Sequence, residues 1–174
     1  MNRFWPDNVF SVHRGKGEDA VFDTIFGLPT HTLVNHAVVV LVPLAAIATI
    51  AVALRPRWRE RYAGWMVLVN GLAVVLTFVA RESGKNLFAR LDSIGGAGVA
   101  AHHRQLGLAF IWYVLVLFAF SLATWLVVRS RGRGPAPTIV AILTAVAAAV
   151  VIYEVIRVGD SGSRAVWEDF VKNT

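Results

Sequence analysis

The sequence predicts an all-α membrane protein, an up-down bundle of four transmembrane helices. Of its 174 residues 56% are hydrophobic, and the mean hydropathy is +0.59. Both values are too high for an ordinary soluble domain. Four apolar stretches approach the roughly 20 residues that cross a bilayer. They lie at 37–54, 62–80, 106–128 and 138–156. The connections between them are short, which favours antiparallel neighbouring helices.

Short polar segments flank this predicted helical domain, which spans residues 29–158. Residues 1–28 precede it and residues 159–174 follow it. Apolar side chains recur at helical spacing in Asp19–Phe26, and again after Gly159–Ser163, a stretch typical of a turn. We therefore expect a short amphipathic helix lying in the membrane interface at each terminus. No internal repeat is apparent between the two halves of the chain.

The net charge of +6 comes from two short loops. Arg55–Arg61 holds four arginines and one glutamate, and the loop after the third span holds Arg129, Arg131 and Arg133. By the positive-inside rule both loops lie in the cytoplasm, with both termini on the outer side. This distribution argues against a nucleic-acid partner. The absence of cysteine excludes thiolate metal sites, iron–sulfur clusters and covalently attached haem.

Ionisable side chains cluster at the predicted outer end of the four spans. Such groups beside hydrocarbon are costly and usually mark a site. They are His31 and His36 before span one, Glu82 after span two, His102 and His103 before span three, and Glu154 and Asp160 after span four. The sequence therefore places a candidate site at this end of the bundle.

Helical spacing predicts how these side chains meet. His31, Thr32, Asn35 and His36 lie within about 140° on one helix face, which we expect to face the bundle interior. Spans one and three are diagonal in an up-down bundle, so His36 and His103 are expected to approach each other across the core. This geometry suits two alternatives. One is haem b bound by His36 and His103 with His31 beside them. The other is a divalent metal ion with ligands drawn from His31, His36, Glu82, His103 and Asp160.

Other interpretations remain open from the residues alone. The histidines and carboxylates can bridge helices or reach into water without binding a cofactor, or they can line a path for protons or small solutes. Glu154 and Arg157 are three residues apart and are expected to form an ion pair near the surface. Two functions are therefore considered: a redox or electron-transfer accessory protein with a bound cofactor, and a cofactor-free structural or interaction subunit of a larger membrane complex.

Several motifs resemble a bacterial membrane-protein family, the domain of unknown function twenty-two thirty-one. The family opens with Leu-Pro-x-His-Pro-Leu-x-x-His, which is similar to the segment ending in His36. The resemblance covers residues 27–168 and is carried by Gly27–His36, Arg81–Gly84, His103 and Val158–Gly162. It departs at Thr32, where the family has proline, and at Asp160, where it has histidine.

The resemblance implies four helices with a histidine-rich outer face in a bacterial plasma membrane. Some relatives are joined to redox modules, which implies electron transfer and a redox complex as partner.

Overall fold

The computed structural model describes residues 24–25, 28–93, 97–130 and 134–172, and it consists mainly of four long helices. These are α1 (Thr30–Leu54), α2 (Pro56–Ser93), α3 (Ala97–Arg129) and α4 (Ala136–Lys172). Ahead of α1, β1 (Thr24–Ile25) and β2 (Leu28–Pro29) form a two-residue antiparallel pair. All four helices are long and apolar enough to cross a membrane. The predicted all-α, four-span fold is confirmed.

The helices form a closed ring of neighbours. Contacts join α1 to α2, α2 to α3, α3 to α4, and α4 back to α1. α1 and α3 are therefore diagonal. Small and branched apolar side chains fill the centre, among them Val42, Val114 and Val151. Large apolar side chains such as Trp65 and Trp112 remain exposed, as expected for a surface that faces lipid.

Polar side chains inside the apolar bundle bond to one another across helices. The Asn70 amide donates to Thr49 Oγ1 at 3.0 Å and to Ser121 Oγ at 2.9 Å, which joins α1, α2 and α3. Thr124 and Thr144 bond through their hydroxyl oxygens at 2.7 Å, joining α3 to α4. Such bonds hold transmembrane helices together where the surrounding lipid supplies no hydrophobic driving force.

The turn expected at Gly159–Ser163 is a wrong prediction, because α4 continues through it. Two local interactions support the helix here. Ser161 Oγ donates to the Val158 carbonyl at 2.7 Å, and Arg164 pairs with Asp160 at 2.8 Å. Glycine costs a helix only about 1 kcal/mol, and these contacts offset it. Residues 159–172 are therefore the last turns of α4, not a separate helix.

Two other sequence expectations also change. Much of the chain between the predicted second and third spans, which end at 80 and begin at 106, is helical, because α2 runs to Ser93 and α3 begins at Ala97. Of the amphipathic helix expected at Asp19–Phe26, only Thr24–Ile25 is described, and these residues belong to β1. The rest of that segment lies outside the described residues.

The ion pair predicted between Glu154 and Arg157 is confirmed, with 3.1 Å between Arg157 Nη1 and Glu154 Oε1. Its expected surface position is wrong for one partner. Glu154 is only 8% exposed and is buried in the bundle, whereas Arg157 reaches outward and lies over the Tyr153 ring.

The two ends of the bundle differ in chemistry. We call the end with the start of α1, the start of α3 and the last turns of α2 and α4 the histidine end. The opposite end, with the α1–α2 connection at Arg55 and the end of α3 at Arg129, is the arginine end.

Candidate functional site: a histidine pair

Two histidines from diagonal helices face each other at the histidine end. His31 lies in the first turn of α1, and His103 lies in the second turn of α3. Their ring centroids are 6.2 Å apart, and the ring planes are inclined by 70°. Both side chains are half-buried. The bundle therefore brings together two imidazoles that are far apart in the sequence.

The His31 ring is held by α2. Its Nδ1–H donates to the Ala80 carbonyl at 3.0 Å. The ring lies against Gly84, where an added Cβ would be only 2.9 Å from His31 Cε1. Glycine is therefore required at this position for the ring to occupy its observed place.

The His103 ring is held by α4 in a similar way. Its Nδ1–H points at both the Val158 carbonyl and Ser161 Oγ, each at 3.1 Å. The ring lies against Gly162, where a Cβ would be 3.1 Å from His103 Cε1. Each histidine is thus fixed by a carbonyl of the following helix and by a glycine one turn further along.

The two hairpins, α1–α2 and α3–α4, repeat one arrangement, which we call the histidine clamp. In the sequence the clamp corresponds to Glu-Ser-Gly at 82–84 in the first hairpin and to Asp-Ser-Gly at 160–162 in the second. In both, the serine hydroxyl donates to the carbonyl that accepts from histidine: Ser83 to Ala80 at 3.1 Å, and Ser161 to Val158 at 2.7 Å. The expectation that the halves share no repeat is wrong for these positions.

The hydrogen bonds of the clamp determine which ring nitrogen of each histidine can bind a further group. A carbonyl oxygen only accepts, so Nδ1 of each histidine carries hydrogen and the neutral ring has its lone pair on Nε2. Within the described residues, the hydrogen bonds of His31 and His103 use Nδ1 alone. A backbone carbonyl on one nitrogen and a free second nitrogen is the usual arrangement of a metal-binding histidine.

Both rings line a small cavity of about 90 Å³, with most of its other walls from α2 and α3. Thr77 lines it as well, and its buried Oγ1 has no hydrogen-bond partner among the residues that the structure describes. Sites for drug-sized ligands and cofactors have volumes of about 300–1,000 Å³. This cavity is therefore of a size for an ion with a few waters, and far smaller than a haem macrocycle.

The expectation that His36 faces His103 is wrong. His36 is exposed, and its Nδ1 bonds the Thr32 carbonyl of its own helix. Five residues along a helix are about 140° apart, so His31 and His36 do not both point to the core. His31, whose ring packs against Gly84, is the one that points to the core. His102 is exposed beside His103, as adjacent helix positions require.

Glu82 and Asp160 also lie away from the histidine pair. Glu82 pairs with Arg81 at 3.0 Å and with Lys85 at 2.8 Å. Asp160 is exposed and pairs with Arg164. Each precedes the clamp serine, so it points to a different side of the helix. Over the parts of the chain that the structure describes, no group of three or more His, Asp or Glu is close enough to hold a metal ion. Of the five residues predicted as metal ligands, His31 and His103 alone come together.

The clamp residues were not predicted as functional. Ser83, Gly84, Ser161 and Gly162 have no chemistry that marks a site in isolation. The available indication was the recurrence of an acidic residue, serine and glycine at the ends of the second and fourth spans.

Comparisons with known proteins agree with the membrane fold. No curated protein and no solved structure matches the chain. One family model matches residues 27–174, and its family is described as a predicted membrane protein. Since the match covers most of the chain, including both histidine clamps, the protein belongs to the DUF2231 family of predicted membrane proteins.

Proposed function

We propose that this membrane protein binds one first-row transition-metal ion between His31 and His103. The observation that carries the proposal is the pair of facing imidazoles, 6.2 Å apart, each with Nδ1 held by a carbonyl. Imidazole nitrogens suit zinc, copper, iron and nickel ions.

The spacing of the rings fits one shared ion. Metal–nitrogen bonds of about 2.0–2.1 Å place two imidazole centroids roughly 5–6.5 Å apart, depending on the angle at the metal. The observed 6.2 Å lies in this range. Two protein ligands leave coordination positions for water or for a ligand from a partner, and a cavity of about 90 Å³ has room for them. Haem b, the other cofactor expected from the sequence, requires the helices to separate.

The proposed role is an accessory one in electron transfer beside a redox complex, with copper or iron as the ion. His31 and His103, each fixed by a backbone carbonyl, would hold such an ion with little movement of the two rings, and the ion would supply the redox chemistry. The site is proposed to lie on the outer side of a bacterial plasma membrane, because the arginine end is expected to be cytoplasmic. A reporter active only in the cytoplasm should work when inserted at Gly132 and fail after Thr174, and the reverse result would overturn this orientation.

A second function is favoured by the same hydrogen bonds. His31 joins α1 to α2, and His103 joins α3 to α4. Without an ion these bonds still connect the helices, as polar side chains do in membrane proteins. The chain would then be a cofactor-free structural subunit of a larger membrane complex.

One experiment separates the two functions. The purified, metal-stripped protein is titrated with Cu²⁺ and Zn²⁺, with binding measured by elemental analysis and by nitrogen coupling in the electron paramagnetic resonance spectrum of copper. We expect one ion per chain, lost in His31→Ala and His103→Ala. The matched controls His36→Ala and His102→Ala remove exposed imidazoles from the same helices and should still bind.

The variant His103→Gln refines the test. Its side-chain amide still donates to the Val158 carbonyl but has no imidazole nitrogen, so it should keep thermal stability and lose the ion. If the unaltered protein takes up no ion, or if all four histidine variants bind equally, the metal site is wrong. A Soret band in protein purified from cells would instead indicate haem.

A further inference from the structure

An open groove of about 840 Å³ lies at the arginine end, between α2 and α3. Its walls include Arg61 and Arg129 together with the indoles of Trp65 and Trp125. We propose that this groove binds the headgroup of an anionic phospholipid from the surrounding bilayer. The proposal is independent of the histidine pair, which lies at the opposite end.

Three arginines line the groove. Arg59 is largely buried and donates to the Ala53 carbonyl at 3.3 Å. Arg61 and Arg129 are exposed, and neither forms an ion pair with any residue that the structure describes. Arg61 lies over the Tyr62 ring and Arg129 over the Trp125 ring, at 5.5 and 5.6 Å from the ring centroids. Glu60 is the one acidic residue in the groove lining. Guanidinium groups bind phosphate through paired hydrogen bonds.

The helix directions add no net charge at this end. α2 begins at Pro56 and α4 begins at Ala136, whereas α1 ends at Leu54 and α3 ends at Arg129. The partial positive charges of two helix N-termini therefore lie beside the partial negative charges of two C-termini. The preference for an anion comes from the arginine side chains. At the histidine end, in contrast, Glu82 pairs with both Arg81 and Lys85.

The shape and the aromatic side chains favour a lipid over a soluble anion. Trp125 lies against α2 at Gly64, where a Cβ would be 3.1 Å from the indole Nε1. Trp65 is 64% exposed and stands beside exposed Leu68 on the same helix. Indoles prefer the headgroup level of a membrane. A phosphodiester between the arginines would thus have its acyl chains along an apolar helix surface. Basic pockets between transmembrane helices bind anionic headgroups in this way.

The test measures lipid retained by the full chain. The protein is reconstituted in phosphatidylcholine with or without phosphatidylglycerol, and bound lipid is counted by native mass spectrometry. We expect phosphatidylglycerol to be retained selectively. Because each arginine near a membrane surface contributes about a fivefold gain in affinity for anionic lipid, Arg61→Gln/Arg129→Gln should weaken retention roughly 25-fold.

The matched control is Arg55→Gln/Arg57→Gln, which removes the same charge at the same end from residues outside the groove lining. It should retain the lipid, as should Arg61→Lys/Arg129→Lys in larger part. Equal loss in the control would mean diffuse attraction and no site. Displacement of the lipid by inorganic phosphate at equal concentration would identify a soluble anion as the occupant. Equal retention of phosphatidylcholine would also overturn the proposal.

Discussion

The α1–α2 hairpin and the α3–α4 hairpin carry the same clamp on different surroundings. In both, a histidine near the start of the first helix donates to a carbonyl in the C-terminal half of the second. His103 has an additional acceptor in Ser161, whereas Ser83 also donates to the Val79 carbonyl and has no bond to His31. The bond from each histidine to a carbonyl is thus repeated in both hairpins, whereas the bonds of the two clamp serines differ.

Away from the clamps the hairpins differ. The first contains Asn70, whose side-chain amide donates to Thr49 of α1 and to Ser121 of α3. The second contains the buried Glu154 with its partner Arg157. The two hairpins therefore share the contacts that place one imidazole each. They differ in the contacts that only hold helices together.

The largest expected effect follows from the glycine surfaces of the clamps. Gly84→Ala places a Cβ 2.9 Å from the His31 ring, and Gly162→Ala one 3.1 Å from the His103 ring. Since overpacking costs about 1–3 kcal/mol, each should destabilise the protein and reduce metal binding. Gly159→Ala, at a position where a Cβ meets nothing within 4 Å, is the control and should be neutral or stabilising. Unfolding in detergent and metal titration measure both effects. Unchanged metal binding in both Gly84→Ala and Gly162→Ala would show that these glycines do not determine the positions of the two histidine rings.

The next effect concerns a feature of the second hairpin alone. Arg157→Gln leaves Glu154 buried without its charged partner and should cost about 1–3 kcal/mol. The double change Glu154→Gln/Arg157→Gln removes both charges and should cost less than the single change. Comparing the two in one unfolding series tests whether the buried carboxylate depends on its partner. A double variant that is less stable than Arg157→Gln would contradict this account.

The smallest effect sharpens the difference between the clamps. Ser161→Ala removes one of the two acceptors of His103 and should lower stability by about 0.5–1.5 kcal/mol. Ser83→Ala removes no bond to His31, so it should change the position of that ring less. The chemical shifts of selectively labelled histidine Nδ1 and Nε2 follow each ring separately. Equal shifts at His31 and His103 in the two variants would mean that both serines act in the same way.

Much of the fold was predictable because it depends on local properties of the chain. Hydropathy located all four spans, and the ionisable residues at their ends indicated where a candidate site lies. Helix ends were less predictable. Gly159 and Gly162 favour a turn locally, but Ser161, Asp160 and the packing of His103 on Gly162 continue the helix.

The histidine pair was foreseen only in part. His31 and His103 were both among the candidate residues, yet His36 was expected to be the partner of His103. The helical wheel placed both His31 and His36 on one broad polar face, and spacing along α1 does not choose between them. The choice depends on α2, which presents a carbonyl and a glycine to His31, whereas the hydrogen bond that the described residues give His36 is to Thr32 of its own helix.

The sequence by itself determined the number of spans, the polar character of the two ends and the candidate histidines, because hydropathy and charge act residue by residue along the chain. The tertiary structure alone decided which imidazoles meet, which nitrogens they leave free and which carboxylates point away. Those outcomes depend on contacts between helices that are distant in sequence. Adjacent helix positions point about 100° apart, so His103 lines the cavity whereas its neighbour His102 lies outside it.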